Sequence, residues 1–264
     1  MILSPEYLPW LEFAIRLVAT ASMVVVATWA AERSGPLVGA LIATLPISAG
    51  PAYIFVAVAH DPAFIAQAAL ASLAVNAATI SFMLAYVVMA QKRGLILSYS
   101  VAFVSWVAIG YLVQSLDWSL PAAIALNVAV TALALPIAQR LATHKMPAAQ
   151  RRWYDVPFRA GLVACFVCIV VALSAHVGPA ITGMLAVFPI VLSSLILILQ
   201  PRAGGVATAS LIAHGMFGTV GFGTSLIVLH LAAPAFGSGL ALGAALAVCI
   251  GWNLALLALR RVRP

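Results

Sequence analysis

The chain has 264 residues, 65% of them hydrophobic and 7% charged, with a mean hydropathy of +1.15 and a formal charge of +7. A soluble domain is about a quarter charged, so the composition excludes a soluble globular protein and points to an all-α polytopic membrane protein. The pI near 9.8 does not indicate a nucleic-acid partner, because Lys and Arg stand singly or in pairs at the ends of apolar runs, where membrane topology accounts for them.

Apolar runs between Gly, Pro and charged punctuation predict nine spans, at 9–31, 36–59, 63–90, 94–115, 119–143, 156–176, 178–200, 204–231 and 235–259. Each is long enough to cross about 30 Å of hydrocarbon at about 1.5 Å per residue. The opening "MILSPEYLPWLEF" has neither the basic region nor the small-residue cleavage pattern of a secretory signal. The first helix is therefore expected to be retained.

Span 1 begins with "WLEFAIR", where Glu12 and Arg16 share one helix face at i,i+4. An acid in the first turn suits the helix dipole, and Arg16 can snorkel back to the interface. Two roles fit the pair: an anchor at the headgroups beside Trp10, or a guide for an anionic solute.

Span 2 carries Pro46, Ser48, Gly50 and Pro51 within "PISAGP". Each proline removes an amide donor and displaces a carbonyl of the preceding turn, so the helix is expected to kink or unwind there. Pro46 lies about 15 Å beyond Pro36 by helical rise, near the midplane. Further along, Asn76 in span 3 and Asn127 in span 5 are polar groups in apolar surroundings. Taken singly, each reads as an interhelical packing bond worth about 0.6 kcal/mol.

Span 6 is preceded by "WYDVPFR", which repeats the spacing of "WLEFAIR" with Asp155 and Arg159. Its "CFVC" pair, Cys165 and Cys168, reads as small buried hydrophobes rather than a metal site, as does Cys249 in span 9. Span 7 holds Pro189 followed by Ser193 and Ser194. Span 8 contains His214 and "GMFGTVGFG", whose glycines serve close helix packing. The lack of a Lys-Ser/Thr ending and of a preceding strand excludes a phosphate loop. Span 9 contributes Asn253.

Sliding the chain against itself gives an ungapped register at 143 residues. Trp10 meets Trp153, Glu12 meets Asp155, Arg16 meets Arg159, Gly35-Pro36 meets Gly178-Pro179, and Pro46 meets Pro189. Repeat 1 then spans residues 1–118, a linker helix and cytoplasmic loop 119–151, and repeat 2 152–264. Four crossings followed by a fifth put the second repeat upside down, so two inverted four-helix repeats are expected. Nine spans also place almost every Lys and Arg outside the helices on one side, with Glu6, Asp61 and Asp117 on the other. By the positive-inside rule this predicts a multi-pass inner-membrane protein with a periplasmic N-terminus and a cytoplasmic C-terminus.

Inverted repeats with paired Gly/Pro-broken helices are the pattern of secondary transporters, with the solute near the midplane. The expected function is therefore secondary transport or export of a small solute, anionic solutes included. Candidate solute contacts are Pro46, Ser48, Gly50, Pro51, Pro189, Ser193, Ser194, Asn76, Asn127, His214 and Asn253. The alternative is a structural or assembly membrane protein without transport. No paired aspartate, HExxH or interpretable Ser–His spacing occurs, so no enzyme activity, cofactor or metal is expected. The expected partners are membrane lipid and the solute, with homo-oligomerisation left open. The stretch "AERSGPLVGALIATLPISAG" resembles a segment of short, roughly four-helix bacterial inner-membrane proteins of unassigned function, over about the first 110 residues. That resemblance implies that one half can exist alone, as duplication of a dimerising ancestor requires.

Overall fold

Most helices begin beside a Gly, Ser, Asp or Pro, and several run on through an internal proline. The structure, a computed structural model, describes residues 14–15, 17–26, 48–142 and 152–262. It is all-helical, with nine helices among the described residues. In chain order they are α1 (Leu17–Val26), α2 (Ala49–Ala59), α3 (Pro62–Met89), α4 (Leu95–Gln114) and α5 (Leu120–Leu141). They continue with α6 (Asp155–Ala186), α7 (Ile190–Ala203), α8 (Gly205–Phe236) and α9 (Ser238–Val262). Of these, α3, α4, α5, α6, α8 and α9 are long and apolar enough to cross a membrane.

Two of the helices form the centre. In α3, Asp61 caps the N-terminus by accepting from the Phe64 amide at 2.8 Å, and Pro62 occupies the first position, where its missing N–H costs nothing. The most apolar 18-residue stretch of α3 is 67% buried against 11% for α5, which makes α3 a core helix and α5 a peripheral one. Its buried face is rich in alanine, including Ala68, Ala69, Ala74 and Ala78, so neighbouring backbones approach closely. Helix α3 packs on α4, α5, α6 and α8, while α8 also packs on α9, α5 and α7.

Helices α3 and α8 are antiparallel. His230, near the end of α8, donates through Nδ1 to the Ala66 carbonyl near the start of α3 at 2.7 Å. At the opposite end, Gly205 lies so close to the Ala90 carbonyl that a Cβ would run into it. Midway, Asn76 Nδ2 reaches the Thr219 carbonyl at 3.5 Å.

Helix α6 is in fact two helices. Gly178 has φ 73 and ψ 175, a conformation open in practice only to glycine, and Pro179 starts the second piece. That piece ends at Ala186. Residues 187–189 are not helical, and α7 restarts at Ile190 with Pro189 as its N-cap. The segment 179–203 is thus two half-helices separated by a short break.

The helix termini sort to two ends of the bundle. At one end Arg93, Gln200 and Gly205 line a common groove, with Arg202 paired to Asp155 nearby in sequence. At the other, His60 Nε2 lies 2.9 Å from Ser174 Oγ, and Gln114 Nε2 donates to the Ala180 carbonyl at 2.6 Å.

Candidate functional site

The cavity of interest forms where α2 begins. Ser48 is the N-cap, with φ −94 and ψ −43, and its side chain makes no capping bond. Ala49, Gly50 and Pro51 form the first turn, in which Ala49 and Gly50 carry amide donors and Pro51 has none. Beside Ala49 and Gly50 opens a cavity of about 100 Å³. Its other walls are Tyr53 and Ile54 of α2, Phe222, Ser225, Leu226 and Leu229 of α8, and Leu242, Ala245 and Leu246 of α9.

Both side-chain hydroxyls in this lining are engaged. Ser72 Oγ donates to the Gly183 carbonyl at 2.6 Å, so the Tyr53 hydroxyl, 2.6 Å from the same oxygen, must donate to it. Ser225 donates to the Phe222 carbonyl at 2.7 Å. The walls are therefore apolar, and the Ala49 and Gly50 amides have no acceptor among the described residues. A helix N-terminus presents such amides with a partial positive charge. The arrangement can hold a small molecule with an apolar body and one acceptor or anionic group.

The break at 187–189 is differently furnished. The freed Val187 carbonyl accepts from Thr79 Oγ1 at 3.2 Å, and Trp106 Nε1 donates to that hydroxyl at 3.3 Å. Phe188 packs against Trp106, Phe166 and Phe103, with ring centroids 4.9, 5.2 and 6.1 Å away. Pro189, Ser193 and Ser194 are buried. Ser194 donates to Val191 at 2.8 Å, while Ser193 Oγ has no partner among the described residues.

The two asparagines meet. Asn76 Nδ2 donates to Asn127 Oδ1 at 2.9 Å, and Asn127 Nδ2 donates to the Leu73 and Ala123 carbonyls at 2.6 and 2.9 Å. This node ties α5 across the crossing of α3 and α8, and leaves Asn76 Oδ1 buried without a donor among the described residues. Asn253 is buried on α9, with its Nδ2 likewise without an acceptor there. His214 is exposed and bonds through Nδ1 to the Ser210 carbonyl of its own helix at 2.6 Å. None of these four residues lines the cavity beside Gly50.

Pro46, Glu12 and Arg16 lie outside the described residues. In the second acid–arginine pair, Asp155 is gripped bidentately by Arg202, with both N–O distances 2.6 Å. It also accepts from the Arg152 amide at 3.0 Å. Arg159 lies one turn further along α6, half-buried. The Asp155–Arg202 bridge joins the start of α6 to the end of α7. Cys165 is exposed, and Cys168 and Cys249 are buried. Among the described residues no three His, Cys, Asp or Glu side chains gather as metal ligands would.

Sequence reasoning passed over Tyr53, Ser72, Thr79, Ser225 and Arg202. A hydroxyl within an apolar helix carries no periodic signal, and only the opposing helix reveals what it meets. In comparison with known proteins, the chain matches no family model, no curated protein and no solved structure.

Proposed function

We propose that this protein is a nine-span inner-membrane transporter built from two inverted four-helix repeats, moving a small solute by alternating access through the cavity at the start of α2. The observation that carries the reading is the agreement of helix geometry with the 143-residue register. Helices α3 and α8 begin at Pro62 and Gly205, and α4 and α9 begin at Leu95 and Ser238, each pair 143 residues apart. Asn76 and Thr219 are partners in that register, and they touch at the antiparallel crossing of α3 and α8. Equivalent residues meet only on a twofold axis. The packing is exchanged in the same sense: α2 lies against α9, and α7 lies against α4. Inverted halves with broken second helices are a frequent transporter architecture.

The halves differ where it bears on the solute. Ser225, Leu242 and Leu246 in the cavity wall correspond to Phe82, Tyr99 and Phe103 on the α7 side. There Phe82 is fully buried and meets Tyr99 edge-on at 6.1 Å. These three larger side chains on the α7 side favour one solute site per chain, at Gly50 rather than at Pro189. The Ala49 and Gly50 amides favour a solute with an acceptor or anionic group.

The test is uptake into proteoliposomes from a panel of small carboxylates, inorganic anions and neutral analogues. Ser225→Phe puts into the cavity wall the side chain found at the equivalent position, Phe82. Uptake of at least one solute, lowered at least tenfold by Ser225→Phe in a folded protein, is expected. Transport indifferent to that variant removes the site. The alternative, a structural or assembly protein, draws on the aromatic packing over residues 187–189, and uptake of nothing in the panel would favour it.

A further inference from the structure

We propose that the groove at the Arg93 end binds the phosphate group of an anionic membrane lipid, independently of any transport. The groove has a volume of about 710 Å³ and is lined by Arg93, the first turn of α4, Gln200, Pro201 and Gly205. Two helix N-termini open on it. The N-caps are Gly94 for α4 and Gly204 for α8, and neither supplies a capping side chain. Gly204 has φ 84, which effectively reserves the position for glycine. The position 143 residues earlier is Asp61, whose carboxylate caps α3. One end of the bundle thus carries its own anion at this helix start, and the other leaves the amides open.

A second observation points to a ligand. Gln200 is only 7% exposed, and its Oε1 accepts from the Tyr86 hydroxyl at 3.0 Å. That bond turns the amide nitrogen toward Gly205, where it has no acceptor among the described residues. An anionic oxygen in the groove supplies that acceptor. Arg93 adds the charge, and helix N-termini bind phosphate through the same amides. The lipid source follows from the groove's edge. Ile96 and Leu97 are 83% and 47% exposed there, and Val104 and Val107 continue an exposed apolar stripe along α4, a track for an acyl chain.

The test is native mass spectrometry of the full chain released from detergent, titrated with dioleoylphosphatidylglycerol, dioleoylphosphatidylcholine or inorganic phosphate. One phosphatidylglycerol is expected to be retained in preference to phosphatidylcholine. Arg93→Gln should weaken retention about fivefold, the contribution of one basic residue to anionic lipid binding, while Lys92→Gln leaves it unchanged. Gly94 has open space around it, so Gly94→Asp supplies a capping carboxylate, keeps the helix and should expel the lipid. Equal losses from Arg93→Gln and Lys92→Gln, undiminished retention in Gly94→Asp, or phosphate binding as tightly as the lipid would each overturn the proposal.

Discussion

Asn127 makes three hydrogen bonds where α5 meets α3, one to a side chain, one to another helix's backbone and one to its own. Removing it leaves the Asn76 amide and an apolar gap facing each other. Asn127→Leu is therefore expected to cost about 1–2 kcal/mol, above the average of about 0.6 for a membrane hydrogen bond. Unfolding in mixed micelles measures this. His214→Leu is the contrast, since an exposed side chain bonded within its own helix should change stability by less than about 0.5 kcal/mol. Both asparagines stood out in the sequence because an amide among apolar residues is conspicuous. Their mutual contact did not, since it depends on how α5 crosses α3. The same holds for Asp155, whose grip by Arg202 joins residues far apart in the chain and has no local signature. Burial of Tyr53 and Ser72 between α2, α3 and α6 escaped for the same reason.

At the scale of elements, the breaks were legible and what covers them was not. Gly178-Pro179 and Pro189 interrupt the helical ladder by local chemistry, which any neighbourhood must accommodate. The aromatic rings over residues 187–189 come from α4 and α6, and no spacing announces them. Ends moved where a breaker proved tolerable. Span 8, expected to stop at 231, runs to Phe236 through Pro234, and α7 continues through Pro201 to Ala203. The half-helix 179–186 supplies a sharp prediction. A Cβ at Gly183 would collide with the Ala68 carbonyl, which cannot yield without distorting α3. Gly183→Ala is expected to destabilise by about 1–3 kcal/mol or more, as overpacking does, and to release Ser72 from the Gly183 carbonyl. Gly50→Ala meets open space and should be nearly neutral in the same assay.

For the whole molecule, composition alone announced a membrane bundle, and the helical structure, with six long apolar helices among the described residues, agrees. The proposed duplication rests on rare residue types falling into register, a signal that survives because Pro, Gly and Trp are hard to replace where they shape backbone or anchor an interface. The difference between the halves was invisible in that register. The cavity beside α2 depends on side-chain volumes summed over three helices, so the sequence offered both breaks as equal candidates. Alternating access requires the cavity at Gly50 to meet each side of the membrane in turn. The direct measurement is labelling of Gly50→Cys, in a protein with Cys165, Cys168 and Cys249 replaced, by a membrane-impermeant thiol reagent applied separately to each face of oriented vesicles. The account predicts modification from both faces, slowed by any transported solute. Modification from one face only, or from neither, would contradict it.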